Sequence, residues 1–233
     1  MKVAITRAAP ENARTAERVR AMGHEPILAP LIAIEPVAFG AALDGVQALL
    51  FTSINGVRAF ASASAARNVR VLTVGDATAT RARDAGFADI RSADGDIAAL
   101  AHLAQAQLDP HAGALIHISG EDIAGDLLQP LRGAGFHIER RVAYAARAAK
   151  TLPDAFDRPL DLVLFHSPRA IGVFLDLGAP NAPRMTAGCL SHTIAARART
   201  ITWSNIIVAP APREDVLLKA ALGDKSAPSG ATA

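Results

Sequence analysis

The 233 residues suffice for one large domain or two small ones, and with 51% of them apolar the chain can bury a sizeable core. A net charge of +2, a pI near 9.0 and only 4% aromatic residues exclude nucleic acid as the default partner and suit an acidic small molecule. The single cysteine, Cys189, excludes an intramolecular disulfide and reads as a buried inert thiol, and no apolar stretch reaches the roughly 18 residues of a membrane span.

The opening Met1-Lys2-Val3-Ala4-Ile5-Thr6-Arg7 goes straight into a strand-like run with no signal-peptide core, which predicts a cytoplasmic protein. Residues 3–6 read as a buried strand and 10–22 as a helix closed by Gly23, its apolar face carried by Ala13, Ala16, Val19 and Ala21 or Met22. Residues 26–34 are a second extended run broken by Pro30, after which Glu35-Pro36 marks a crossing to another domain. Asp44-Gly45 then turns the chain into its central stretch. There the apolar run Leu49-Leu50-Phe51 stops at two hydroxyls, Thr52-Ser53, passes Asn55-Gly56 and resumes with helical apolar spacing. That pattern is a buried parallel strand, a tight turn and a helix start, with unpaired N–H groups and the positive end of the helix dipole beyond the strand.

A strand over 69–74 ends at Gly75-Asp76-Ala77-Thr78, and the following helix stops at Gly86. A short strand covers 88–91, and Asp96 caps a helix to about Gln107. The strand 114–118 ends at Ser119-Gly120-Glu121-Asp122 and leads into a helix closing near Gly133 to Gly135. Residues 137–142 alternate like a half-exposed strand, Tyr144 is the only tyrosine, and 145–159 read as the return crossing. The remaining units are a strand at 161–165, a helix opened by Ser167-Pro168, a strand near 185–189, a helix over 191–199, a strand at 205–208 and a last helix over 213–222. Residues 223–233 are small and polar, the composition of a disordered tail.

Repeated strand, turn and helix units predict an α/β fold, parallel sheets with helices on both faces. Thr6 and Ser119, Gly23 and Gly135, Ser53 and Ser167, and Gly75 and Gly188 occupy equivalent places about 113 residues apart, so two similar α/β halves are the simplest account. Dinucleotide, P-loop, zinc and nucleophile-elbow motifs are absent, and the seven histidines show no ligand spacing. His117 and His166 lie near strand ends and could face a cleft, but an ordinary structural histidine is the better reading. What remains is a set of hydroxyl-bearing turns: Thr6-Arg7, Thr52 to Gly56, Gly75 to Thr78, Ser119-Gly120, Ser167 to Arg169 and Gly188 to Ser191. Helix capping explains any one of them. So many at one sheet edge point to a polyanion site, since each offers donors to a carboxylate or phosphate.

In the order and spacing of these pieces the chain resembles the uroporphyrinogen-III synthase family. The matching stretches are Ile5-Thr6-Arg7 with Gly23-His24-Glu25, Phe51 to Val57, Val74 to Ala79, Val142-Ala143-Tyr144, Phe165-His166-Ser167-Pro168 and Pro212 to Leu218. The resemblance implies two Rossmann-like or flavodoxin-like domains joined by a two-stranded linker. One is discontinuous, 1–34 with 148–222; the other is 37–144; the linkers are 35–36 and 145–147. It implies that hydroxymethylbilane, a linear tetrapyrrole polycarboxylate, binds in the cleft between domains and closes to uroporphyrinogen III without cofactor or metal. Loss of water gives a methylene pyrrolenine, a spiro intermediate forms, and ring D is inverted.

By the same resemblance Tyr144 assists departure of the hydroxyl, and Thr52, Ser53, Asn55, Thr78, Ser167 and Ser191 bind carboxylates with neighbouring backbone N–H groups. Gly56, Ser119 and Gly120 join the substrate-binding set from their turns, and Arg7 joins it as a charge partner; Arg58, Arg141 and Arg169 are further cations near these turns. The second half departs from the family pattern, with Ser191 in place of a common Thr and His192 in place of Ala. No coiled-coil heptad appears, so a monomer is expected, with hydroxymethylbilane synthase as a transient partner and neither nucleic acid nor membrane. Two other readings fit the turns: a non-catalytic binding protein or sensor for an anionic metabolite, and a phosphosugar or nucleotide-sugar enzyme.

Overall fold

The structure is a computed structural model that describes residues 1–123 and 125–223; residues 224–233 of the expected tail lie outside it. In chain order the elements are β1 (Lys2–Ile5), α1 (Glu11–Ala21), β2 (Glu25–Leu28), β3 (Ile32–Pro36), β4 (Val46–Phe51), α2 (Ile54–Ala63), β5 (Arg70–Thr73) and α3 (Asp76–Asp84). They continue with β6 (Ile90–Ser92), α4 (Ile97–Gln107), β7 (Ala114–Gly120), α5 (Leu128–Gly133) and β8 (Ile138–Ala148). The last are β9 (Leu162–Phe165), α6 (Pro168–Asp176), β10 (Thr186–Cys189), α7 (His192–Ala198), β11 (Asn205–Val208) and α8 (Glu214–Leu222).

The chain forms two compact units. Unit 1 takes Met1–Ala33 and the chain from Arg147 on; unit 2 is Ile34–Ala146. In unit 1 the strand order is β2-β1-β9-β10-β11, every pairing parallel. The other sheet runs β6-β5-β4-β7-β8-β3, and its pairs from β6 to β8 are parallel. Both sheets reverse strand order at their centre, between β1 and β9 in one and between β4 and β7 in the other. In such sheets ligands bind beyond the carboxyl ends of those two strands.

Helices on both faces explain why the central strands are apolar throughout. In β4, Leu49 and Phe51 face α2 and α3 with Val57, Phe60 and Phe87, while Ala48 and Leu50 face α4 and α5 with Leu100 and Leu131. The rings of Phe51, Phe60 and Phe87 lie 6.1–6.2 Å apart. Burying each such ring stabilises the unit by roughly 1.5–3 kcal/mol. In unit 1, Val3, Ile5, Leu162 and Leu164 pack under Val19 of α1 and Leu217 and Leu218 of α8.

The spacing of about 113 residues has a direct structural meaning. Read in spatial order, β2-β1-β9-β10-β11 corresponds strand for strand to β8-β7-β4-β5-β6, so each sheet is a circular permutation of the other. Ser53 and Ser167 cap equivalent helices, and Thr6 directly follows β1 while Ser119 lies near the end of the equivalent strand β7.

Three local readings differ from the sequence. The run at 26–34 is two strands in different sheets, because Pro30 interrupts it. The strand containing Tyr144 continues to Ala148, since 143–148 hold no Gly or Pro to stop it. After Ser119-Gly120 no helix follows at once: both residues lie inside β7, and α5 starts only at Leu128. Among the described residues no helix is long and apolar enough to cross a membrane.

Candidate functional site

The switch point of unit 2 opens into a cleft of about 510 Å³. Its walls include Thr52 and Ser53 from the end of β4, His117, Ser119 and Gly120 from β7, Tyr144 from β8, and Asp96 with Ile97 at the start of α4. Ser53 is extended (φ −155°) and caps α2, its Oγ accepting the Gly56 N–H at 3.1 Å. Gly56 is there for close packing: a Cβ would stand 2.7 Å from the Ile118 carbonyl oxygen, so only glycine lets the first turn of α2 rest on β7.

Tyr144 pairs with Gly120 across β7 and β8, beside a register irregularity. Its hydroxyl lies 2.7 Å from Ser53 Oγ. The ring stands against the bare α-carbon of Gly120, where an added Cβ would meet ring carbons at 2.7 Å. Gly120 therefore seats the tyrosine. Ser53 Oγ accepts the Gly56 N–H and also meets the phenol, a contact at the cleft wall in which either hydroxyl can donate to the other.

Behind this pair lies a buried polar layer. His117 is 1% exposed, and its Nε2 is 3.1 Å from Thr52 Oγ1. Burial, with Arg140 nearby, lowers the imidazole from 6.5 to about 4, so it is neutral at physiological pH. Arg140 donates to Ser119 Oγ at 2.7 Å and to the carbonyls of Gly120 and Glu121 at 2.6 Å, fixing the end of β7. The Ser119 hydroxyl is thereby buried and committed, donating in turn to the Gly120 carbonyl at 3.0 Å.

The cleft thus unites Thr52, Ser53, Ser119, Gly120 and Tyr144 of the expected residues. Asn55, Gly56 and Thr78 lie outside its lining: Asn55 Oδ1 accepts from Arg58 at 3.3 Å, and Thr78 is buried in the first turn of α3. Arg141, named as a nearby cation, holds the Gly40 and Ala42 carbonyls at 2.9 and 2.7 Å. His117, which the sequence favours as structural over cleft-facing, lines the cleft, and Arg140 is a site residue that the sequence reading lacks. Strand alternation was the available signal, because 140, 142 and 144 share one side of β8 and Arg140 pairs in register with His117.

The other expected residues belong to unit 1. Ser167 caps α6 through the Ala170 N–H at 3.1 Å, and Ser191 caps α7 through the Ile194 N–H at 3.4 Å. At the β1–β9 switch point, Thr6 Oγ1 donates to the Leu164 carbonyl at 2.7 Å. Arg7 donates to Glu214 Oε1 and Arg18 to Oε2, both at 2.7 Å, and the Thr15 hydroxyl donates to Oε1 as well. His166 Nε2 lies 3.2 Å from the same carboxylate. Burial alone would raise the Glu214 carboxyl, but His166, Thr15 and the Arg7 charge outweigh it and hold it near 2. Among the described residues no group of three His, Cys, Asp or Glu side chains is arranged to hold a metal ion.

A protein-family model described as uroporphyrinogen-III synthase HemD matches residues 13–219. The fold is similar to uroporphyrinogen-III synthetase from Helicobacter pylori, at 16% identity, covering 95% of this chain and 98% of that one with a TM-score of 0.65. It is also similar to a mutant uroporphyrinogen III synthase from Thermus thermophilus, at 18% identity over 94% and 96% of the chains, TM-score 0.54. No curated protein matches.

Proposed function

The chain belongs to the uroporphyrinogen-III synthase family, and from that premise we propose that it dehydrates and cyclises hydroxymethylbilane to uroporphyrinogen III in tetrapyrrole synthesis, with the unit 2 cleft as its chemical centre. The observation that carries the assignment of the cleft is the Ser53–Tyr144 contact at 2.7 Å, set at the sheet's switch point.

In this reading the Tyr144 phenol donates to the substrate's terminal hydroxyl as its carbon–oxygen bond breaks. The pyrrole nitrogen supplies the electron pair and gives up its N–H proton, which replaces the one taken from the phenol, so that water leaves and the methylene pyrrolenine forms. Attack on the substituted carbon of the last ring gives the spiro intermediate, whose rearrangement inverts ring D before closure. Ser53 aims the phenol. The first N–H groups of α2, around Asn55, take a substrate carboxylate while the Gly56 N–H stays on Ser53 Oγ, Thr52 lines the cleft beside them, and Gly120 keeps the tyrosine in place. Ser167 and Ser191 open other helices and offer the same kind of donor, whereas Thr78 lies buried in the first turn of α3. Ser119 supports the β7 end, and Arg7 stays with Glu214.

A linear tetrapyrrole closes unaided, so the enzyme's work is to hold one geometry, and positioning supplies much of the rate. In the same proposal the protein is a cytoplasmic monomer that receives its substrate from hydroxymethylbilane synthase.

The test is the isomer composition formed when the purified protein meets freshly generated hydroxymethylbilane. Predominant isomer III is expected. Isomer I alone, the product of unassisted closure, overturns the reading and brings forward a non-catalytic anion-binding protein.

A further inference from the structure

We propose that His117 is a positioning residue for this reaction, its buried imidazole making Thr52 a second hydrogen-bond donor into the cleft beside Tyr144. The inference rests on the reading of the unit 2 cleft given above.

His117 is costly where it stands. It occupies the middle of a buried strand between Ile116 and Ile118, and its Nδ1 has no hydrogen-bond partner. An apolar side chain would fill that place without an unsatisfied nitrogen. The ring's one hydrogen bond is to Thr52 Oγ1 at 3.1 Å, and both residues line the cleft.

The neutral ring carries one proton, on Nε2 or on Nδ1. A proton on Nδ1 would be an orphaned buried N–H in a ring that already lies in the field of the Arg140 guanidinium. Orphaned buried N–H groups are the rarest unpaired polar groups in proteins, so the proton belongs on Nε2. Nε2–H then donates to Thr52 Oγ1. A hydroxyl oxygen that accepts this bond keeps its own proton for another acceptor, and among the described residues it has none. Thr52 therefore offers an O–H to a substrate oxygen, one residue from the Ser53 that orients Tyr144.

Unit 1 supports the specificity of the arrangement. By the shared strand order and spacing, the counterpart of Thr52 is His166 and that of His117 is Ala4, so the pair is absent from the corresponding switch point.

The experiment measures kcat and KM for isomer III formation, together with thermal melting, in wild type, H117M, H117Q, T52V and H117M/T52V. H117M and T52V should each lower kcat by ten- to a hundredfold, as loss of one donor to a developing charge implies. The double variant should fall no further than either single, because both remove the same donor. H117Q, whose amide nitrogen takes the place of Nε2, should recover at least tenfold over H117M. Multiplicative losses, H117Q no better than H117M, or H117M within twofold of wild type would each overturn the inference. Should H117M fail to fold, H117N serves: its amide reaches only the Nδ1 place, and equal rates for H117N and H117Q would overturn the proposal. A wild-type protein that yields isomer I alone instead removes the reading of the cleft itself.

Discussion

The two switch points are the same place in the same scaffold, and they have opposite character. In unit 2 the strand ends carry Thr52 and Ser53 on one side and Ser119 and Gly120 on the other; in unit 1 they carry His166 and Ser167, and Thr6 and Arg7. Where unit 2 has a glycine under a tyrosine ring, unit 1 has an arginine tied to Glu214. The unit 1 groups are matched to one another: one carboxylate receives Arg7, Arg18 and Thr15, and the Thr6 hydroxyl is spent on a carbonyl. The unit 2 strand-end groups are uncharged and face a cleft, and in the proposed reading Thr52 and Tyr144 keep donor capacity there. Residue type alone would rank the arginine-rich end as the better anion site. Donor capacity left unspent is what separates a reactive surface from a structural clamp.

The strongest way to break this comparison is Tyr144→Phe. The change keeps the ring on Gly120 and removes only the hydroxyl. Isomer III formation should fall by about 10²–10⁴-fold, the range for loss of a positioned acid, while isomer I from unassisted closure becomes the main product. Thermal melting should move little. A rate within threefold of wild type would mean that the open switch point of unit 2 has no chemical role in that tyrosine.

How much of this was legible in the sequence differs between fold and site. The parallel sheets could be read because Leu49-Leu50-Phe51 and Leu162-Val163-Leu164-Phe165 are apolar runs that stop at a capping hydroxyl, a purely local signal. The spacing of about 113 residues pointed to two similar halves, and their permuted strand order is visible only in the sheets. The site was half legible. Thr52, Ser53 and Tyr144 stood out by type and place, but the His117–Thr52 bond joins residues 65 apart and exists only through β4–β7 pairing. Arg7 looked like a substrate cation because nothing local announced Glu214, 207 residues away. Contacts set by tertiary structure leave no periodicity to read.

Acid sharpens the comparison next, because each switch point has its own window. His117 is lowered from 6.5 to about 4 by burial and by Arg140, so below 6.5 the unfolded chain takes up a proton that the folded unit refuses. Stability should therefore fall from pH 6.5 to 4 by up to about 3 kcal/mol, and H117Q should flatten that part of the melting profile. His166 is also lowered, mainly by burial, and adds a loss of the same sign in unit 1. Glu214 is held near 2 against an ordinary 4.5, so its contribution is complete above 4.5 and disappears as the pH falls towards 2. With partial exposure discounted, that contribution is on the order of 2 kcal/mol. E214Q should lower the melting temperature at pH 7 by about 4–8 °C, with the gap closing between pH 4.5 and 2. A gap that stays constant with pH would show that packing, not charge, holds α8 to α1.

The smallest effect asks whether unit 1 is only a clamp. Ser167 and Ser191 each cap a helix, and loss of a cap costs about 1 kcal/mol, or roughly 2–4 °C in a chain of this size. S167A and S191A should each show that loss. If these turns also hold substrate carboxylates, KM for hydroxymethylbilane should rise severalfold while kcat stays close to wild type, since a carboxylate distant from the reacting carbon is bound equally before and during the reaction. A shift in melting temperature with unchanged KM would restrict the serines to capping. Carboxylate recognition would then fall to backbone N–H groups and to unit 2, making the contrast between the two switch points complete.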